Sequence, residues 1–313
     1  MEIKALLKLL TQIIYILCGL VSISTGIRGL KNEKAKIGTF LFWTILGIIF
    51  IFGEAIPYKV TGGLLVILAI ITVTKQLHIG KFENISSQFK IAQSEKLKNK
   101  IFIPAVLIGI AAFLILQFKI GKTAIPPALG IGGGSLVALL AAAIIIKPKF
   151  SETNEDTSKL LMQIGATAIL PQLLAALGAV FTKAGVGKVI AASISSVVPT
   201  GNIFIGIVIY AIGMVIFTMI MGNAFAAFSV ITAGIGIPFI IKNGGNPAVI
   251  GALGMTAGYC GTLMTPMAAN FNIVPASILE IKDKYGIIKV QAPMALLLLV
   301  THIILMLFLF GIK

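Results

Sequence analysis

Apolar runs of roughly one bilayer's length follow one another along nearly the whole chain, separated by short loops in which lysine predominates. The hydrocarbon core of a bilayer is ~30 Å thick and takes about 20 helical residues to cross. Inside it every backbone N–H and C=O must be satisfied within the protein, which leaves helices or closed barrels. Runs of this length suit spanning helices. Leu9–Ile27, Ile37–Ile56, Val60–Thr74, Ile101–Phe118, Ala124–Ile146, Leu160–Phe181, Asn202–Met221, Ala248–Met264 and Ala292–Phe310 read as spans. The sequence therefore predicts an all-α polytopic integral membrane protein with about 9–10 transmembrane helices. A mean hydropathy of +1.07 agrees with this. The first run lacks a small-residue cleavage site and reads as a span, not a signal peptide.

The formal charge of +15 would suggest nucleic acid in a soluble chain. Here the basic residues sit in loops: Arg28 to Lys36, Lys75 to Lys100 and Lys147 to Lys159. Lysine-rich short loops are retained on the cytoplasmic side and meet anionic lipid headgroups. The N-terminus is accordingly expected outside, in a multi-pass protein of the cell's cytoplasmic membrane, with lipid and not nucleic acid as its partner. Loops of the C-terminal half carry too little charge to orient it.

One stretch departs from regular spans. Gly222 to Pro275 is too apolar for a solvated loop and too interrupted by Gly, Pro and Asn for unbroken helix. Broken backbone at membrane depth is tolerated only inside protein or along a cavity, which is how secondary transporters build binding sites. Residues 1–156 read as scaffold helices and 157–313 as a core with discontinuous or re-entrant helices. Whether 224–241 crosses or returns stays open. Asn223 stands at an N-cap position, and Asn270 and Asn272 lie between Pro266 and Pro275. Asn223-Ala-Phe225 and Asn270-Phe271 faintly echo one another. Gln172, beside helix-breaking Pro171, is a further candidate to line a site.

From Thr157 to Leu279 there is no Asp and no Glu. A site built there from amides, hydroxyls and helix N-termini suits an anion. Amide and carbonyl oxygens can also coordinate Na⁺, and Na⁺ or H⁺ as coupling ion stays open. No cofactor is indicated. Cys18 and Cys260 have no ligand-spaced neighbours, and Gly132–Ser135 lacks the Lys-Ser/Thr of a nucleotide loop. No Ser–His–Asp or paired-carboxylate constellation appears, so catalysis is not expected. Glu54 is expected to pair with Lys59, and His302 to make a helix–helix hydrogen bond.

The runs Gly165–Ile190, GNAFAAFSVITAGIGIP (Gly222–Pro238) and NPAVIGALGMTAGYCGTLMTPMAANFNIVPA (Asn246–Ala276) resemble a bacterial membrane family. That family is described as the larger subunit of a two-component 5-oxoproline (pyroglutamate) transporter, within the ion-transporter superfamily of anion/sodium symporters with paired hairpins. The resemblance implies a subunit of a secondary transporter that moves a small organic anion by alternating access, with 5-oxoproline the named candidate and a second, smaller membrane subunit as partner. It places Asn223 in the first broken element and Thr262, Thr265, Asn270 and Asn272 in the second. The alternative is a non-transporting membrane partner that assembles or regulates another permease.

Overall fold

The computed structural model describes residues 2–82, 87–120, 123–195 and 202–311. The chain divides into two compact units, Met1–Gly165 and Ala166–Lys313. In the first, close helix contact is made by glycine. Helices α1 (Glu2–Gly29) and α2 (Lys36–Phe52) run antiparallel. A Cβ on Gly19 would meet the Gly47 carbonyl oxygen at 2.7 Å, and one on Gly26 the Phe40 oxygen at 3.1 Å. Without a hydrophobic driving force between helices in lipid, such close backbone approach is the main source of packing energy. Helix α3 (Tyr58–Val73) follows Pro57 and packs on α2.

Helix α4 (Ser87–Leu97) runs through a 3₁₀ turn into α5 (Ile103–Gln117). Part of the lysine-rich segment expected as loop is therefore helix. A two-residue antiparallel ladder, Lys119–Ile120 with Thr123–Ala124, leads to α6 (Pro127–Ile146). The Gly-rich start of this span is helical. Gly130 and Gly134 stand four apart and face α5, where a Cβ on Gly134 would meet Ile108 O at 2.7 Å. Tertiary packing overrides the low helix propensity of glycine.

A second correction concerns 147–159, which reads as a polar loop but folds into α7 (Phe150–Ile164). Asn154, Ser158 and Met162 recur every four residues on one face. Ser158 and Met162 are buried, Ser24 Oγ donates to Asn154 Oδ1 at 2.9 Å, and Arg28 pairs with Glu155 at 3.1 Å. Gly165, at φ +55°, ends the helix, so Leu160–Phe181 is not one span. Glu54 pairs with Lys8 at 2.8 Å, not with Lys59.

The second unit begins with α8 (Leu170–Lys183) and α9 (Val186–Ser195). A short Ser- and Ala-rich run, Val189–Val198, ends outside the described residues, and Lys122, in the turn expected between the fourth and fifth spans, also lies outside them. Helix α10 (Ile203–Met221) carries the core: Ile207, Tyr210 and Met214 are fully buried against Ile235, Ile250 and Met306. It packs on α11 (Ala224–Ile231), α12 (Pro247–Leu263) and α14 (Gly286–Phe308). After α11 the chain winds as π-helix through Thr232–Ile240, around Gly234, Gly236 and Pro238. Residues 224–243 thus form one continuous helical element. Tyr210 Oη lies 2.8 Å from Thr232 Oγ1 where the π segment begins. Helix α13 (Ala269–Ile278) completes the unit.

Among the described residues six helical stretches are long and apolar enough to cross a bilayer: Ile3–Gly29, Ile91–Gln117, Pro127–Ile146, Ile203–Met221, Ala224–Asn243 and Gly286–Phe308. Lys36–Phe52 and Tyr58–Val73 are apolar but shorter. The all-α multi-pass architecture follows from the sequence as expected. The long helices are fewer than the apolar runs because Gly165 divides one run and three others wind only 17, 16 and 17 residues of helix, while Ala224–Asn243 adds a long one in the interrupted stretch.

Candidate functional site

Both interruptions in the second unit arise from local chemistry. Helix α10 stops where Gly222 takes the left-handed conformation at φ 66°, its N–H bonded to Thr218 O. Asn223 is extended, and its Oδ1 accepts from Phe225 N at 2.9 Å and Ala226 N at 3.4 Å. The N-cap read from the sequence is thus in place, and α11 restarts at once. The second interruption runs from Met264 to Ala268, between α12 and α13. No side chain caps α13. Within its first turn Phe271 N donates to Ala268 O at 3.0 Å, and the first-turn N–H groups of a helix otherwise lack intrahelical partners.

One residue ties the breaks together and another braces the second from within. Thr265 Oγ1 donates to Met219 O at 2.8 Å, tying the second break to the end of α10, and accepts from Met267 N at 3.2 Å. Asn272 is fully buried, and its Nδ2 donates to Thr262 O at 2.8 Å and Thr265 O at 2.7 Å. A cavity of about 180 Å³ lies where the breaks meet. Gly222, Asn223 and Ala224 line it from the first, Ala269, Asn270 and Phe271 from the second, and Tyr259 and Thr262 from α12. A cavity of ~150 Å³ holds one benzene ring, so this one suits a single small ring with substituents.

The expected site residues separate by position. Asn223, Thr262 and Asn270 line the cavity. Thr265 and Asn272 frame it without lining it, and Thr262 Oγ1 is already donated to Tyr259 O at 2.7 Å. Gln172 is exposed and does not line the cavity, although its neighbour Leu170 does. His302 Nδ1 sits 2.6 Å from Leu298 O of its own helix, so the expected helix–helix bond is an intrahelical one.

An aromatic wall was not singled out by sequence reasoning. Phe225 and Tyr259 meet edge to face with centroids 6.0 Å apart, and Phe271 and Met267 add apolar surface. The signal was present in the Asn…Phe echo, since each asparagine that lines the cavity is followed closely by a phenylalanine that lines it too.

No charged side chain lines the cavity among the described residues. Two helix N-termini, each with an asparagine, line it, as do the C-terminal cap of α10 at Gly222 and the last turn of α12. Peptide dipoles leave partial positive charge at N-terminal ends, and anions bind there without a cationic side chain.

The architecture defines the class: a multi-pass helical membrane protein whose second unit has a partly open cavity, lined by no charged side chain among the described residues, between two helix interruptions. The chain belongs to the family described as "Protein of unknown function (DUF979)", whose model matches residues 12–310. No curated protein matches it, and no solved structure does.

Proposed function

We propose that the protein is a subunit of a secondary transporter for a small organic anion and works by alternating access. The observation that carries this is the meeting of two helix N-termini, with Asn223 and Asn270, at one uncharged cavity of about 180 Å³. The resemblance of three sequence runs to two-component transporters supplies 5-oxoproline as the named substrate. That molecule is one ring bearing one carboxylate and one lactam, which fits both the cavity's size and its mixture of amide and aromatic groups. In this reading Asn223 and Asn270 engage the carboxylate or lactam at the starts of α11 and α13, while Phe225 and Tyr259 bound the ring. Thr265 ties the two breaks together, and Asn272 braces the second.

The same resemblance supplies the cytoplasmic membrane of a bacterium as location and a smaller membrane subunit as partner. Na⁺ or H⁺ would be the coupling ion. A catalytic role is not part of this reading, since among the described residues the cavity lining presents neither a nucleophile–base pair nor a carboxylate pair.

Uptake of labelled 5-oxoproline into proteoliposomes holding the purified chain and its smaller partner tests this. Accumulation driven by an ion gradient, and its loss in Asn223→Asp with assembly intact, is the expected result. Undiminished uptake by the variant would instead make this chain a non-transporting assembly partner.

A further inference from the structure

We infer that the buried oxygen of Asn272 belongs to a site for a monovalent cation of the size and hardness of Na⁺, set in the second helix interruption. The site is separate from the cavity and stands without the anion reading. Only its use for coupling would rest on that reading.

Asn272 is fully buried, and its amide is oriented by what it donates to, Thr262 O at 2.8 Å and Thr265 O at 2.7 Å. Its Oδ1 is then left buried with no hydrogen-bond partner among the described residues. Exchanging the amide's oxygen and nitrogen would set an oxygen against two carbonyl oxygens, so the orientation is fixed. Buried acceptors are nearly always satisfied in folded proteins, so an oxygen left over in this way points to a bound species.

The surroundings say which species. Helix α12 ends at Leu263, so Thr262 O belongs to its last turn, where the peptide dipoles leave partial negative charge. Thr265 O lies in the break itself. Through the shared amide, Asn272 Oδ1 stands within ~5 Å of both carbonyl oxygens. Oxygens around a hard cation, each about 2.3–2.6 Å from it, are spaced within that same limit. Each carbonyl keeps a second lone pair after accepting from Nδ2. A water can donate to only two of these three oxygens, whereas a cation meets all three. Calcium sites draw on carboxylates, and the chain has neither Asp nor Glu from Thr157 through Leu279. Uncharged oxygens at an unwound helix end suit a singly charged ion instead.

Thermal unfolding of the purified full-length protein tests this, with NaCl replacing choline chloride at constant ionic strength and no organic anion added. A saturable rise in melting temperature with Na⁺ is expected. Asn272→Asp keeps an oxygen at the Oδ1 position, adds charge and loses the donor to Thr262 O and Thr265 O. The variant should melt below wild type in choline, regain stability in Na⁺, and show an apparent Na⁺ affinity roughly tenfold tighter, as ligand charge dictates. An asparagine with a purely structural role would give a variant that Na⁺ does not rescue. Equilibrium binding of radiolabelled Na⁺ to the wild type decides the matter without a variant, and one ion per chain is expected.

No Na⁺-dependent rise and no bound Na⁺ in the wild type would overturn the site. A rise whose Na⁺ affinity Asn272→Asp leaves unchanged would place the ion elsewhere and overturn it too. Na⁺ binding without any binding of 5-oxoproline would keep the cation site and remove the transport reading, and the converse result would do the reverse.

Discussion

At the scale of single residues, the asparagines divide into those that face the cavity and one that builds it. Asn223 does both, since its Oδ1 caps α11 while the residue lines the cavity. Asn223→Ala removes the cap, at a cost of ~0.5–2 kcal/mol. Lost activity in that variant would mix folding with binding. Asn223→Asp keeps a capping oxygen, because aspartate caps as well as asparagine, and adds negative charge where an anion must sit. The aspartate variant is therefore expected to melt within a few degrees of wild type yet bind the anion at least tenfold more weakly, measured by thermal unfolding and ligand titration of the same sample. Asn272 gives the opposite pattern. Asn272→Ala leaves two buried carbonyls, Thr262 O and Thr265 O, without their donor. Each such loss costs ~1–3 kcal/mol. A large fall in melting temperature is expected, and an unchanged one would show that Asn272 does not hold the second break.

At the scale of elements, glycine decides which helices touch. Gly254, Gly258 and Gly261 of α12 face α10, where a Cβ on Gly261 would meet Val215 O at 2.5 Å and Thr218 Cβ at 2.9 Å. Gly261→Val should therefore unseat α12 and lower the yield of folded protein on gel filtration. Gly109→Ala, in α5 with nothing within 4 Å, should be neutral or slightly stabilising. Equal behaviour of the two would contradict close α10–α12 packing. The start of α14 is held by the Asp283 turn. Its carboxylate accepts from Lys289 Nζ at 2.8 Å and Tyr285 N at 2.9 Å, and these bonds, the lysine's first, hold the carboxyl below its ordinary value. A depressed folded-state pKa contributes stability above the unfolded value of ~3.9 and loses it as pH falls through the folded value. The Tyr285 amide resonance should titrate with a midpoint below ~3.9, and Asp283→Asn should abolish the transition; a midpoint at or above 3.9 would remove the turn's electrostatic hold.

At the scale of the whole molecule, the sequence was most legible where lipid imposed the rule. Apolar runs mark the helices, and the Asn223 cap could be read because Asn before a helix-forming run has one dominant use. Legibility failed where a partner surface decided the outcome. The Gly130–Gly134 face is helical because α5 lies against it, and Asn154, Ser158 and Met162 form a helix face because α1 receives them. Thr265 could not be separated from Thr262, since only the fold shows that one reaches Met219 O while the other lines the cavity. Orientation is still carried by lysine placement: the segment around exposed Ser94 is expected in the cytoplasm. Ser94→Cys, with Cys18 and Cys260 replaced by Ala, should react with an impermeant maleimide only after the inner face is opened; labelling of intact cells would invert the first unit. The site itself is tested most directly by equilibrium binding of labelled 5-oxoproline to the purified wild-type complex and to Asn223→Asp. Saturable binding by the wild type, weakened at least tenfold in the variant at equal folded protein, is the predicted result. Equal binding by both, or none by the wild type, would contradict an anion site between the two broken helices.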